Sequence, residues 1–86
     1  MILKVFTKPD CPKCPAAKQL VYLVKTNWGK KIKVEEFDTS VVEGLAEASF
    51  YSILSTPSLV LCDEKGKEIW GWRGEVPVVG EILEKM

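Results

Sequence analysis

The sequence predicts an α/β fold with elements in the order β-α-β-α-β-β-α, built as a four-stranded mixed sheet with helices on both faces. Three observations predict it. Short apolar stretches with strand periodicity are separated by stretches with helical periodicity. The first two strands, joined through a helix, must run parallel with a right-handed crossover. The last two, joined by the turn 63-DEKGK-67, must form an antiparallel hairpin. The first helix would be about 24 Å long and a strand about 20 Å, so each layer can cover the other.

Residues 2–7 (ILKVFT) form the first strand, closed by a Lys-Pro-Asp turn. From Pro12 to about Asn27 the pattern is helical, with Ala17, Leu20, Val21, Val24 and Trp28 recurring at three- and four-residue steps. Pro12 and Pro15 both fall in the first turn of that helix, where backbone N–H groups lack intrahelical partners and proline is tolerated. Gly29 supplies the stop. Residues 31–38 (KIKVEEFD) alternate and form the second strand. Asp38, Thr39 or Ser40 would cap a second helix over about Val41–Tyr51, whose apolar residues are Val42, Leu45, Ala46 and Phe50. The run 58-SLVLC-62 is continuous enough for a strand buried on both faces. Residues 68–73 (EIWGWR) form its partner, and Val76 to Met86 a terminal helix with Val79, Ile82 and Met86 on one side. Gly80 inside that helix would cost roughly 1 kcal/mol relative to alanine.

Eighty-six residues fit one domain, 1–86, near the lower size limit for independent stability. A hydrophobic share of 47% beside 28% charged residues excludes a disordered chain. Twelve basic residues balance twelve acidic ones without forming blocks, which argues against nucleic acid or an anionic membrane as partner. No leader-like apolar segment opens the sequence and no run is long enough to span a bilayer, so the expected location is cytoplasmic.

The chemistry centres on 9-PDCPKCPAAK-18. Cys11 falls at the N-cap edge of the first helix and Cys14 one turn inside it. Unpaired N–H groups and the positive end of the helix dipole favour thiolate over thiol at Cys11, with Lys13 assisting and Asp10 opposing. Cys14 is close enough to form a disulfide and should be the less exposed thiol. Cys11 would attack a substrate disulfide, and Cys14 would resolve the mixed disulfide. Two other uses of the same thiols stay open: a metal or iron–sulfur site, and inert structural thiols. Zinc usually takes four Cys or His ligands. This chain has no histidine and one further cysteine, Cys62, so only a dimer could pool four thiols. Cys62 itself reads as a small buried hydrophobe.

With C-P-x-C opening a helix after a first strand, the chain resembles the thioredoxin superfamily and glutaredoxins in particular. The segment 8-KPDCPKC-14 is similar to the K-P-x-C-P-Y-C entry of glutaredoxins, with Lys13 in place of the aromatic. The segment 55-STPSLVL-61 resembles the T/V-P-T-L segment of the superfamily, in which the proline is cis and faces the cysteines. The resemblance implies a thioredoxin fold and a cis Pro57, with the backbone of Thr56 free to pair with a substrate segment. Two further matches, 14-CPAAK-18 and 72-WRGEVP-77, resemble the small redoxins associated with ribonucleotide reductase, which take electrons from thioredoxin reductase. A monomeric electron donor to protein disulfides is implied, with no cofactor beyond a Cys11–Cys14 disulfide. Its upstream reductase is implied to be thioredoxin reductase-like, or glutathione. Lys8 matches a position that meets a glutathione carboxylate in glutaredoxins. Their G-G-x-x-D segment is missing, since 71-GWRGE-75 stands in its place. The thioredoxin W-C-G-P-C is also missing. Some glutaredoxin relatives bridge an iron–sulfur cluster between subunits, which is the form the metal alternative would take.

Among the remaining residues, Trp28 and Trp70 read as packing residues, and Arg73 and Lys18 as solvated. Trp72 has two readings, core packing or a wall of the substrate groove near Cys11.

Overall fold

The first strand carries hydrophobes on both faces, Leu3 and Val5 on one and Phe6 on the other, so β1 (Ile2–Thr7) needs cover above and below. The computed structural model, which describes residues 1–86, places it inside a four-stranded sheet of order β2-β1-β3-β4. β2 (Lys33–Asp38) runs parallel to β1 with Leu3 opposite Val34. β3 (Ser58–Cys62) runs antiparallel to β1 with Val5 opposite Leu59, and every residue of it is buried. β4 (Glu68–Arg73) is the hairpin partner of β3, with Leu59 facing Trp72. In the connecting turn the Asp63 carboxylate accepts the N–H groups of Lys65 and Lys67 at 2.8 and 3.0 Å, and Gly66 takes a φ of 85°. β1, β3 and β4 have the predicted bounds. β2 starts at Lys33, and Ile32 just before it is buried in the core.

Two helices cover one face. α1 (Cys14–Trp28) lays Ala17, Leu20, Val21 and Val24 over Leu3, Val5, Leu59 and Leu61, and α3 (Val79–Lys85) adds Ile82 beside Trp72. Trp28 packs against the same cluster. α1 begins at Cys14 rather than Pro12, after a turn in which the Cys14 N–H bonds the Cys11 carbonyl at 3.3 Å. Only Pro15 lies in the first helical turn, where its missing N–H costs no intrahelical bond. α3 starts at Val79, not Val76, because Pro77 disfavours helical angles at Val76. Gly80 is therefore in the first turn and not in the interior, and Met86 is 40% exposed rather than packed.

α2 (Val42–Phe50) covers the opposite face and differs most from expectation. Its buried residues are Gly44 and Ala48, whereas Val42, Leu45 and Phe50 are 80%, 57% and 76% exposed. A Cβ built on Gly44 would lie 1.8 Å from the Asp38 carbonyl oxygen. The helix reaches this close approach only by turning its smallest residues inward. No side chain caps it: Val41 is the N-cap, and the Asp38 carboxylate instead accepts the Ser40 N–H and hydroxyl at 2.8 and 2.6 Å. The Lys4 ammonium, under α2, pairs with Glu47 of the helix and lies 3.6 Å from Glu35.

Candidate active site

Strand direction gathers the marked segments. Phe6 faces Ser58 in the antiparallel β1–β3 pair, so the loop leaving β1 and the loop entering β3 lie at one end of the sheet. The first loop carries Lys8, Cys11, Pro12 and Lys13, and the second carries Thr56 and Pro57. Arg73 faces Ser58 as well, which brings Gly74 to the same end.

Cys11 and Cys14 are joined in a disulfide with their Cα atoms 5.3 Å apart. Cys14 is the first residue of α1 and Lys13 its N-cap, so Cys11 stands outside the helix and not at its cap. Relative exposures of 8% for Cys11 and 4% for Cys14 put the two in the predicted order by a small margin. No acidic residue occupies the first turn of α1. The Ala16 N–H in that turn has no intramolecular acceptor. Free N–H groups and the helix dipole there stabilise negative charge on a sulfur released by reduction. Pro12 and Lys13 are exposed, and Asp10 before them has a φ of 62°.

The Thr56–Pro57 peptide is cis, as the resemblance implies, and Pro57 is buried. Two serines pin this loop. The Ser58 hydroxyl donates to the Ser55 carbonyl at 2.8 Å and accepts the Gly74 N–H at 3.1 Å, where Gly74 has a φ of 76°. The backbone N–H and C=O of Thr56 make no intramolecular hydrogen bond. Its hydroxyl oxygen is enclosed and also lacks a partner. Lys8 is exposed and shares with Thr56 a groove of about 140 Å³ whose apolar lining is Leu45, Ile53 and Leu54.

Trp72, Trp70 and Cys62 lie elsewhere. Trp72 is 2% exposed in the core under α1 and α3, and its ring N–H donates to Glu81 at 3.1 Å. It is a packing residue and walls no groove. Trp70, on the same strand face, is 48% exposed with the Lys85 ammonium 4.0 Å from its ring centre. Cys62 ends β3 on the far side of the sheet from the cysteine pair, about 13 Å along the strand from Ser58. It is fully buried, its thiol donates to the Tyr51 hydroxyl at 3.6 Å, and burial pushes its pKa up. It cannot join Cys11 and Cys14 around one ion, and no three His, Cys, Asp or Glu side chains cluster as a metal site. Arg73 bonds Glu68 through both nitrogens at 3.0 and 2.9 Å, and the Tyr51 carbonyl at 2.8 Å.

Sequence reasoning missed the serine clamp on Pro57 and the aliphatic groove. Serines on both sides of Pro57 were a usable signal for the clamp, because hydroxyls commonly close such turns. Nothing in the spacing marked the groove.

The geometry joins a helix-start disulfide to a cis-proline loop on a four-stranded sheet, and the chain is similar in sequence or fold to several known proteins. No protein-family model matches the chain. A thioredoxin of Methanocaldococcus jannaschii is 36% identical over 59 residues, spanning 69% of this chain and 67% of the relative. A probable thioredoxin of Archaeoglobus fulgidus is 34% identical over 64 residues, 74% of this chain and 68% of the relative. Among solved structures, thioredoxin 1 of Thermosipho africanus superposes with a TM-score of 0.78 at 18% identity, covering 99% of this chain and 89% of that one. Thioredoxin-2 of the malaria parasite does so with a TM-score of 0.79 at 19% identity, covering 96% and 77%. The fold is the thioredoxin fold, and fold and site together define a protein disulfide oxidoreductase. The chain belongs to the thioredoxin family. No helix is long and apolar enough to cross a membrane.

Proposed function

We propose that this chain reduces protein disulfides with Cys11 as nucleophile and Cys14 as resolving thiol. The observation that carries the assignment is the Cys11–Cys14 disulfide at the start of α1. In the reduced protein the Cys11 thiolate attacks one sulfur of a client disulfide. A Cys11–client bond forms, the client S–S bond breaks, and the departing client thiolate takes a proton from water. Cys14 then loses its proton and attacks Cys11. The Cys11–Cys14 disulfide forms, and the second client sulfur leaves and is protonated. Two electrons and two protons reach the client. The client segment lies extended against the free N–H and C=O of Thr56, beside Pro57, with Lys8 holding a carboxylate of the client. Pro12 and Lys13 keep the edge of the helix open and positive.

A separate reductase returns the two electrons. The C-P-A-A-K and W-R-G-E-V-P segments favour one of the thioredoxin reductase type over glutathione, and a client such as ribonucleotide reductase. The chain works as a single-domain cytoplasmic monomer with no bound cofactor in cell redox homeostasis and electron transport. The test uses the reduced protein and a model protein disulfide. Cys11→Ser should abolish turnover, and Cys14→Ser should accumulate a mixed disulfide visible by mass. Full turnover in Cys11→Ser, or no trapped adduct with Cys14→Ser, would overturn the roles. Parallel assays with glutathione and with thioredoxin reductase identify the electron donor.

A further inference from the structure

A pocket of about 530 Å³ opens between the end of α2 and the β3–β4 turn. That turn leaves β3 at Cys62, at the end of the sheet opposite the dithiol. The two walls are tied together, because the Tyr51 hydroxyl donates to the Gly66 carbonyl. The floor is the Arg73–Glu68 pair, which lies flat on β4 because Gly71 has no side chain; a Cβ there would collide with both groups. Arg73 spends three N–H groups on Glu68 and the Tyr51 carbonyl. A guanidinium has five, so the others stay free. Lys65 and Lys67 also line the pocket, and neither has an acidic partner within ion-pair distance. The acids of the turn do not offset them. Asp63 accepts backbone N–H groups, Glu64 stands 3.9 Å from the N-terminal ammonium, and neither lines the pocket. Three cations therefore face one carboxylate in a chain whose net charge is zero. The remaining wall is Phe50, whose ring is exposed and stands edge-on to Tyr51 at 4.9 Å. A phenyl ring so exposed stabilises little in the free protein, since its stabilising effect comes from burial.

We propose that this pocket binds a nucleotide, with Lys65 and Lys67 on the phosphates and the base stacked on Phe50. The free N–H groups of Arg73 give the floor a further donor to the same phosphates. An apolar ring alone would leave the two ammonium groups unused, and an inorganic anion would leave Phe50 unused. A phosphate ester of a planar ring uses both. The volume suits it, because small-molecule pockets run to about 300–1,000 Å³. The site is separate from the dithiol and does not rest on the roles proposed for Cys11 and Cys14.

The test is calorimetric titration of the full chain in magnesium-free buffer with ADP, adenosine and pyrophosphate. These carry both features, the ring alone and the charge alone. ADP should saturate a single site, and each of the other two should bind more weakly. Phe50→Ala should lower ADP affinity about tenfold, the scale of one base stacked on an aromatic side chain, and leave pyrophosphate unchanged. Lys65→Gln combined with Lys67→Gln should lower the affinity for ADP and for pyrophosphate about tenfold, the scale of two exposed charge pairs. Lys30→Gln combined with Lys31→Gln makes the same charge change in another lysine-lined pocket, after α1, and should leave ADP binding unchanged. All of these side chains are exposed, so the fold and the disulfide turnover should be kept. No saturable ADP binding to the parent protein would overturn the site. Equal affinities for ADP and pyrophosphate, or no effect of Phe50→Ala, would overturn the nucleotide assignment. An equal loss on changing Lys30 and Lys31 would make the effect one of net charge and overturn the pocket.

Discussion

Thr56 brings two unlike polar features to the site. Its backbone groups make no intramolecular hydrogen bond, whereas its hydroxyl oxygen is enclosed with no partner. A buried polar atom without a hydrogen bond costs about 1–3 kcal/mol. Valine keeps the branched shape and removes the oxygen, so Thr56→Val should raise stability by about 1 kcal/mol. A higher urea midpoint with an unchanged slope would show it; a lower midpoint would mean that the hydroxyl has a partner in solution. At this scale the cysteines were legible because their chemistry lies in sequence spacing. Trp72 was not. Alternation puts Trp70 and Trp72 on one face of β4, but depth depends on where α3 crosses that face. α3 covers Trp72 and leaves Trp70 half exposed beside Lys85.

Among the elements, α2 and α3 offer opposite outcomes for the same substitution. Alanine is the better helix former by about 1 kcal/mol, and at Gly80 a Cβ would meet nothing within 4 Å. Gly80→Ala should stabilise by about 0.5 kcal/mol. At Gly44 the Cβ would lie 1.8 Å from the Asp38 carbonyl oxygen, a backbone atom that cannot swing aside. Gly44→Ala should destabilise by about 1–3 kcal/mol despite the better propensity. Urea unfolding of the two variants side by side separates propensity from packing, and equal shifts would refute the close approach of α2. The same contact explains what was hidden in the sequence. β1, β3 and β4 were readable to the residue because their side chains alternate between two apolar layers. For α2, the hydrophobic pattern marked Val42, Leu45, Ala46 and Phe50. Proximity to Asp38 chose Gly44 and Ala48 instead, and that distance has no sequence signature.

Over the whole molecule the two faces of the sheet are built differently. The face under α1 and α3 is an apolar cluster from Leu3 through Trp72 to Ile82, and it anchors the helix that carries the dithiol. The face under α2 is smaller and mixes Phe6, Ala48, Ile53 and Val60 with Tyr51, Cys62 and the Lys4–Glu47 pair. Three groups there hold protons more tightly than usual. Burial raises Cys62 above its ordinary 9.0, and burial with the Cys62 hydrogen bond raises Tyr51 above 10.0. Burial alone would lower Lys4, but its hydrogen bonds to Glu47 and Tyr51 outweigh that and raise it above 10.5. In each case the folded state keeps a proton that the unfolded chain releases first. The resulting stability is complete below the unfolded values and is lost as pH rises through the folded ones. Stability should therefore begin to fall near pH 9, and the part due to Lys4 should fade only above 10.5. Lys4→Met removes the ammonium while filling its space, and at neutral pH it should cost about 1–3 kcal/mol, the scale of a hydrogen bond to a charged group. Urea midpoints measured across alkaline pH should show the parent and Lys4→Met converging above 10.5. Parallel curves would mean that the ion pair does not hold α2 to the sheet.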